Sequence, residues 1–209
     1  MELLNEIKFF NRTNKIPSQC LKEAFLNTML FEETLSENDD SVNSPERVDV
    51  LNHINNDDYV RNNYTSFANE LMHSRYSSFL THYAVDEMEK LNIQTFQVPG
   101  YEIGFGLKKL PEGVDIVGVH NNTSIKGVGE ALIDSAIRLG GTHLDHFDGF
   151  LSDFYSKKGF EEYERWKWND EYAPKGWDYD KYGRPDVILR RLARKPTHFS
   201  RGMNYKISS

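Results

Sequence analysis

Val119-His120-Asn121-Asn122-Thr123-Ser124-Ile125-Lys126-Gly127-Val128-Gly129-Glu130-Ala131-Leu132 reads as the end of a strand, a polar turn, a glycine-punctuated loop and the start of an apolar helix. That order builds an anion cradle. Glycines let a backbone approach a ligand closely, and the first N–H groups of a helix have no intrahelical acceptor and point outward. A diphosphate-bearing cofactor is the natural occupant, and Lys126 can add a point charge. A turn followed by an ordinary helix remains an equal reading of these residues alone.

A second segment, Phe154-Tyr155-Ser156-Lys157-Lys158-Gly159-Phe160-Glu161-Glu162, follows the first in the chain. Together the two resemble the Gcn5-related N-acetyltransferase (GNAT) family. Its cofactor motif is a strand ending in valine, a short polar turn, then Arg/Gln-x-x-Gly-x-Gly/Ala opening a helix. Val119, Gly127 and Gly129 fall on that pattern, and Phe154 to Phe160 match the Phe-Tyr-x-Lys-x-Gly-Phe of a later helix end. The resemblance covers residues 94–192. Ser124 stands where the family has Arg or Gln, which leaves a hydroxyl and a backbone N–H and shifts the side-chain phosphate contact toward Lys126.

The resemblance implies an α/β fold, a mixed central sheet flanked by helices, here with a helical N-terminal elaboration. It implies acetyl-CoA as co-substrate, held by Val119, His120, Ser124, Ile125, Lys126, Gly127, Val128, Gly129 and Glu130. It implies Tyr155 as the proton donor to the departing thiolate, although a packed aromatic is an equal reading of that residue. A phenol suits the task because it donates to a developing anion. Asp148 stands where the family often has an Asn that holds the pantetheine arm. Substituting Asp removes a donor and adds a charge, and Asp148-Gly149 can instead cap the helix that follows.

Composition bounds the rest. The chain has 209 residues and a formal net charge of −7, enough length for one cored domain with an extension. Its single cysteine, Cys20, precludes an intramolecular disulfide and suits a reducing compartment. No apolar run is long enough to span a bilayer, and the first residues lack a signal-peptide layout. The expectation is a cytoplasmic protein of a bacterium or of a phage-infected bacterium, and the Asn-, Asp- and Tyr-rich style is similar to that of GNAT-like phage proteins. No membrane partner is expected, and a homodimer stays open.

Charge is uneven. Residues 1–92 carry 8 Lys/Arg against 16 Asp/Glu, whereas residues 183–209 carry 7 basic residues and one acidic. Overall acidity disfavours nucleic acid, since phosphate neutralisation supplies most of that affinity. The basic tail, residues 193–209, keeps a small RNA or an acidic surface in play.

Residues 1–92 read as mostly helical. Leu21, Ala24, Phe25, Thr28 and Met29 share one helix face, Glu32 to Pro45 is a polar linker, and helices are expected over 45–55 and 65–91. In the core, residues 93–192, strands are expected over 95–98 and 101–108 around the Pro99-Gly100 turn, and over 115–119. A helix from Gly127 to Leu139 should keep one wet stripe, Glu130, Asp134 and Arg138, and end at Gly140-Gly141. His143, Asp145, His146 and Asp148 invite a metal reading, but on a strand they face opposite ways in pairs, and no metal is assigned.

The group that takes the amine's proton is sought among Asp115, Glu102 and His120. Strands follow over 163–168 and from 186. The long aromatic loop between them offers Trp177, Tyr179 and Arg184 as substrate contacts or as scaffolding. The reading that results is acetyl transfer to an amine of a small molecule or protein. Two other classes stay open: a GNAT fold kept for binding alone, and a GNAT-fold enzyme with another acyl donor or a nucleic-acid acceptor.

Overall fold

The computed structural model describes residues 44–74, 82–173 and 177–193. The expected helix around Leu21, Cys20, the acidic linker up to residue 43 and the tail beyond residue 193 lie outside the described residues.

Ser44 accepts from the Arg47 N–H and opens α1 (Pro45–Asn55), with proline in the first turn where its missing donor costs nothing. Next come β1 (Val60–Arg61) and α2 (Tyr64–His73), the latter capped by Asn63. The single helix expected over 65–91 is broken: among the described residues α2 ends at His73 and a short α3 spans Val85–Lys90. At Ser74 the chain leaves helical geometry with ψ 138°, and Tyr83 is buried outside any helix. An apolar residue every few positions does not reveal such a break.

Two hairpins follow. β2 (Gln94–Gln97) and β3 (Ile103–Leu110) pair antiparallel around Pro99-Gly100, with Gly100 at φ 79°. β3 then turns at Pro111-Glu112 into β4 (Gly113–Asn121), which runs two residues past the expected Val119. α4 (Gly129–Arg138) buries Leu132, Ile133 and Ala136 and ends through Gly140 at φ 108°, where Gly141 N–H donates to Ala136 O at 2.8 Å. β5 (His143–Phe147), α5 (Phe150–Lys157), β6 (Phe160–Trp166), a short α6 (Tyr179–Tyr182) and β7 (Val187–Leu192) follow among the described residues.

The seven strands form one mixed sheet in the order β1-β2-β3-β4-β5-β7-β6, all neighbours antiparallel except β4 and β5. β4 and α4 are linked to β5 as a β-α-β crossover, which parallel neighbours require. The fold is therefore the α/β class with a mixed, helix-flanked sheet. α2 covers one face, its Phe67 ring against Gly118. α4 and α5 cover the other: Gly141 is packed on Ile116, and Tyr155 of α5 lies against His146 and Phe160. α1 is fastened to α4 by Arg138 Nη2, which donates to Ile54 O and Asp57 Oδ1, and Tyr59 donates to Ser135 Oγ.

Candidate active site

β4 and β5 begin together and then separate. Thr142 N–H donates to Val114 O at 2.7 Å, and Asp115 opposite His143 is the one register pair between them. Beyond it the strands splay toward their C-terminal ends, the usual place for ligands in open α/β sheets. β4 also carries a bulge. Gly104 faces His120 and Gly106 faces Val117, so one extra residue sits on β4, and Gly118 takes it up at φ 56°. Glycine is required here, because a Cβ would lie 3.0 Å from the Phe67 ring in addition to the left-handed strain.

The loop that follows is braced from within. Asn121 Oδ1 accepts from Thr123 N–H and Oγ1, Asn121 Nδ2 donates to Ile125 O, and Thr123 Oγ1 accepts from Ile125 N–H. The Ile125 amide is thus already used, and the cradle narrows to the helix start. There Gly127 sits at φ 72°, Val128 supplies no side-chain cap, and buried Gly129 brings no Cβ. Ser124 and Lys126 are exposed, and Glu130 is tied to Lys158 at 2.7 Å.

A cation absent from the motif reaches this loop. Arg47 of α1 donates from Nε to Lys126 O at 3.0 Å, and its Nη2 lies 3.2 Å from where a Gly127 Cβ would be. Its origin 79 residues upstream of Lys126 hides it from any local pattern.

Tyr155 is fully buried, and that burial drives its hydroxyl far above the ordinary phenol range, so it stays protonated as a donor must. It stands beside β5, the far wall of the splay. Asp148 is engaged instead at the sheet edge. The Arg165 guanidinium bonded to it holds its carboxyl below the usual range, and its Oδ1 accepts from Ser152 Oγ. The α5 N-cap position is Gly149, and the Asp148 carboxyl just before it also bonds to the Gly149 backbone.

The three candidate bases are separated. Asp115 is buried at the paired end of the wedge, opposite Lys108 on β3 and His143 on β5. His120 is buried, with Nε2 2.8 Å from Glu70 Oε2 and Nδ1 2.9 Å from Gly118 O at the bulge. Glu102 lines a cavity of about 360 Å³ between α2 and β2–β3, together with Ser66, Glu70, His73, Gln97 and Tyr101. A larger hollow, about 1010 Å³, opens at the opposite, paired end of β4 and β5 beside His143, Tyr163 and Arg191.

Trp177, Tyr179 and Arg184 fall elsewhere. Trp177 is buried against Phe147, Trp168 and Tyr182 and donates to Gly183 O, while Arg184 lies over the Tyr179 ring and pairs with Asp170. They hold their own loop together and do not line the Glu102 cavity. His143 and His146 project to opposite faces, as alternation requires. Among the described residues no three His, Cys, Asp or Glu side chains converge as a metal site would need.

No protein-family model matches the chain, and no curated protein does. Among solved structures it is similar to N-acetylglutamate synthase from Neisseria gonorrhoeae complexed with coenzyme A and N-acetyl-glutamate, at 20% identity over 63% of this chain and 32% of that one, TM-score 0.34. A second structure of that enzyme, with coenzyme A and L-arginine, is 18% identical over 55% of this chain and 28% of that one, TM-score 0.31. The chain spans about a third of the length of those structures. Among the described residues no helix is long and apolar enough to cross a membrane.

Proposed function

We propose that the chain is an acetyl-CoA-dependent N-acetyltransferase acting by direct transfer to an amine of a small molecule or protein. The observation that carries this reading is the wedge between β4 and β5, bulged at Gly118 and continued by a glycine loop into the N-terminus of α4.

The residues present fit such a co-substrate. The Gly127 to Glu130 amides would hold a pyrophosphate, with the positive end of a ten-residue helix behind them. Arg47 and Lys126 supply the charge that Ser124 lacks. Beyond the Asp115–His143 pair, the facing edges of β4 and β5 would offer amides and carbonyls to an extended arm. Acetyl-CoA supplies the activated thioester. The chain's own part is positioning, an acceptor for the amine's proton at Glu102, and a phenol, Tyr155, that stays protonated until the thiolate departs.

Tyr155 also supports a second reading, a fold kept for binding alone, since its side chain has no exposed surface. Calorimetric titration with acetyl-CoA tests the first step. The wild type should bind in the micromolar range, and a folded Gly129→Glu variant should not. Absence of binding by the wild type would overturn the proposal. Binding with no loss of transfer in Tyr155→Phe would remove the tyrosine from the chemistry.

A further inference from the structure

The 360 Å³ cavity beside α2 has walls rich in hydrogen-bond acceptors. Gln97, 4% exposed, donates from Nε2 to Glu70 Oε1, and its Oε1 has no hydrogen-bond partner. The amide cannot be turned to cure this, because its oxygen would then face a carboxylate. Behind the wall, Asn122 Nδ2 donates to Glu70 O and to Glu102 Oε2, and Asn122 Oδ1 is a second buried oxygen with no hydrogen-bond partner. A buried acceptor left unsatisfied is costly.

Glu70 and Glu102 add two carboxylates to the lining, against one histidine and, among the described residues, no lysine or arginine. Glu70 is fixed by Ser66 Oγ at 2.9 Å and by His120, which continues to Gly118 O at the bulge. The cavity therefore lies one buried side chain away from the candidate reaction centre.

We propose that this cavity is the acceptor site, and that it takes a small cationic aliphatic amine with no carboxylate beside its nitrogen. The assignment as acceptor site rests on the acetyl-transfer reading. An ammonium brings the N–H donors that Gln97 Oε1 lacks, whereas an α-carboxylate would meet Glu70 and Glu102 with nothing to balance it. In the reaction the ammonium gives one proton to Glu102, its nitrogen bonds to the acetyl carbon, the C–S bond breaks as Tyr155 protonates the thiolate, and the nitrogen's second proton restores Tyr155.

The test is calorimetric titration of the full chain with 1,4-diaminobutane and with L-glutamate, each without and with saturating coenzyme A. The diamine should bind at least about tenfold more tightly than glutamate, and Gln97→Leu or the exposed-site Glu102→Gln should each weaken it about tenfold. Equal affinities, a preference for glutamate, or diamine binding untouched in folded Glu102→Gln would overturn the proposal. Coenzyme A binding without diamine binding would sink the acceptor site and leave the transferase reading standing. Diamine binding without coenzyme A binding would sink the acceptor role and that reading together.

Discussion

His120 and His146 are both buried on central strands, yet their surroundings differ in kind. His146 is pinned by a cation. Arg190 Nε donates to its Nε2 at 2.7 Å, which fixes the tautomer with the proton on Nδ1, facing Phe147 O. Burial, with Arg190 adding to it, pushes this imidazole down to about 4. His120 has oxygens at both nitrogens, one of them the carboxylate of Glu70, which itself borders a cavity. One histidine is closed off by a guanidinium and serves the core. The other joins a pocket wall to the bulge at Gly118. Partner charge and access, more than residue type or burial, separate the two roles.

The strongest way to break this contrast is Arg190→Met. It strands His146 Nε2 and also loses bonds to Ser156 Oγ and Phe160 O. Stability should fall by about 3 kcal/mol in urea denaturation, with cavity ligands bound as before. An unchanged midpoint would mean that the buried guanidinium does not hold the core.

Acidification gives the next effect. Between the ordinary histidine range and about 4, the unfolded chain binds a proton at residue 146 that the folded chain refuses. Stability therefore rises with pH across that window and falls on acidification, by about 2 kcal/mol between pH 6.5 and pH 5 from this group. His146→Gln should flatten that slope relative to wild type, whereas His120→Gln should leave the His146 component in place.

The smallest effect sharpens the comparison most. His120→Gln keeps a donor for Glu70, so stability should drop by only about 1 kcal/mol while acetyl transfer falls at least about tenfold. Equal losses in both measurements would place His120 with His146 in the core.

Much of the fold was legible because its signals are local. α4 has its apolar stripe, its wet face and its glycine stop within one short stretch, and each hairpin turn is a proline-containing dipeptide. The Gly118 bulge was not legible, because Asp115-Ile116-Val117-Gly118-Val119 reads as an ordinary buried strand. The ends of the site were the least accessible. Arg47, Glu70, Gln97 and Asn122 come from four separate elements, and only the folded chain brings each to its partner. The aromatic loop left two readings open for a related reason. Trp177, Tyr179 and Arg184 have a composition that serves recognition and packing equally, and here they satisfy one another.

The single register pair between β4 and β5 gives a seven-stranded sheet two inner rims besides its two outer ones. Backbone groups on a rim behave as a template for a further strand, and on the outside of a protein that is a hazard to be blunted. Placed in the middle, flanked by the protein's own strands, the same exposed rungs become a slot. A guest whose backbone alternates amide and carbonyl could mend the sheet by lying in it, and hydrogen exchange at Val119 would slow as the tear closed, while His146, on the β7 side of β5, would keep its rate.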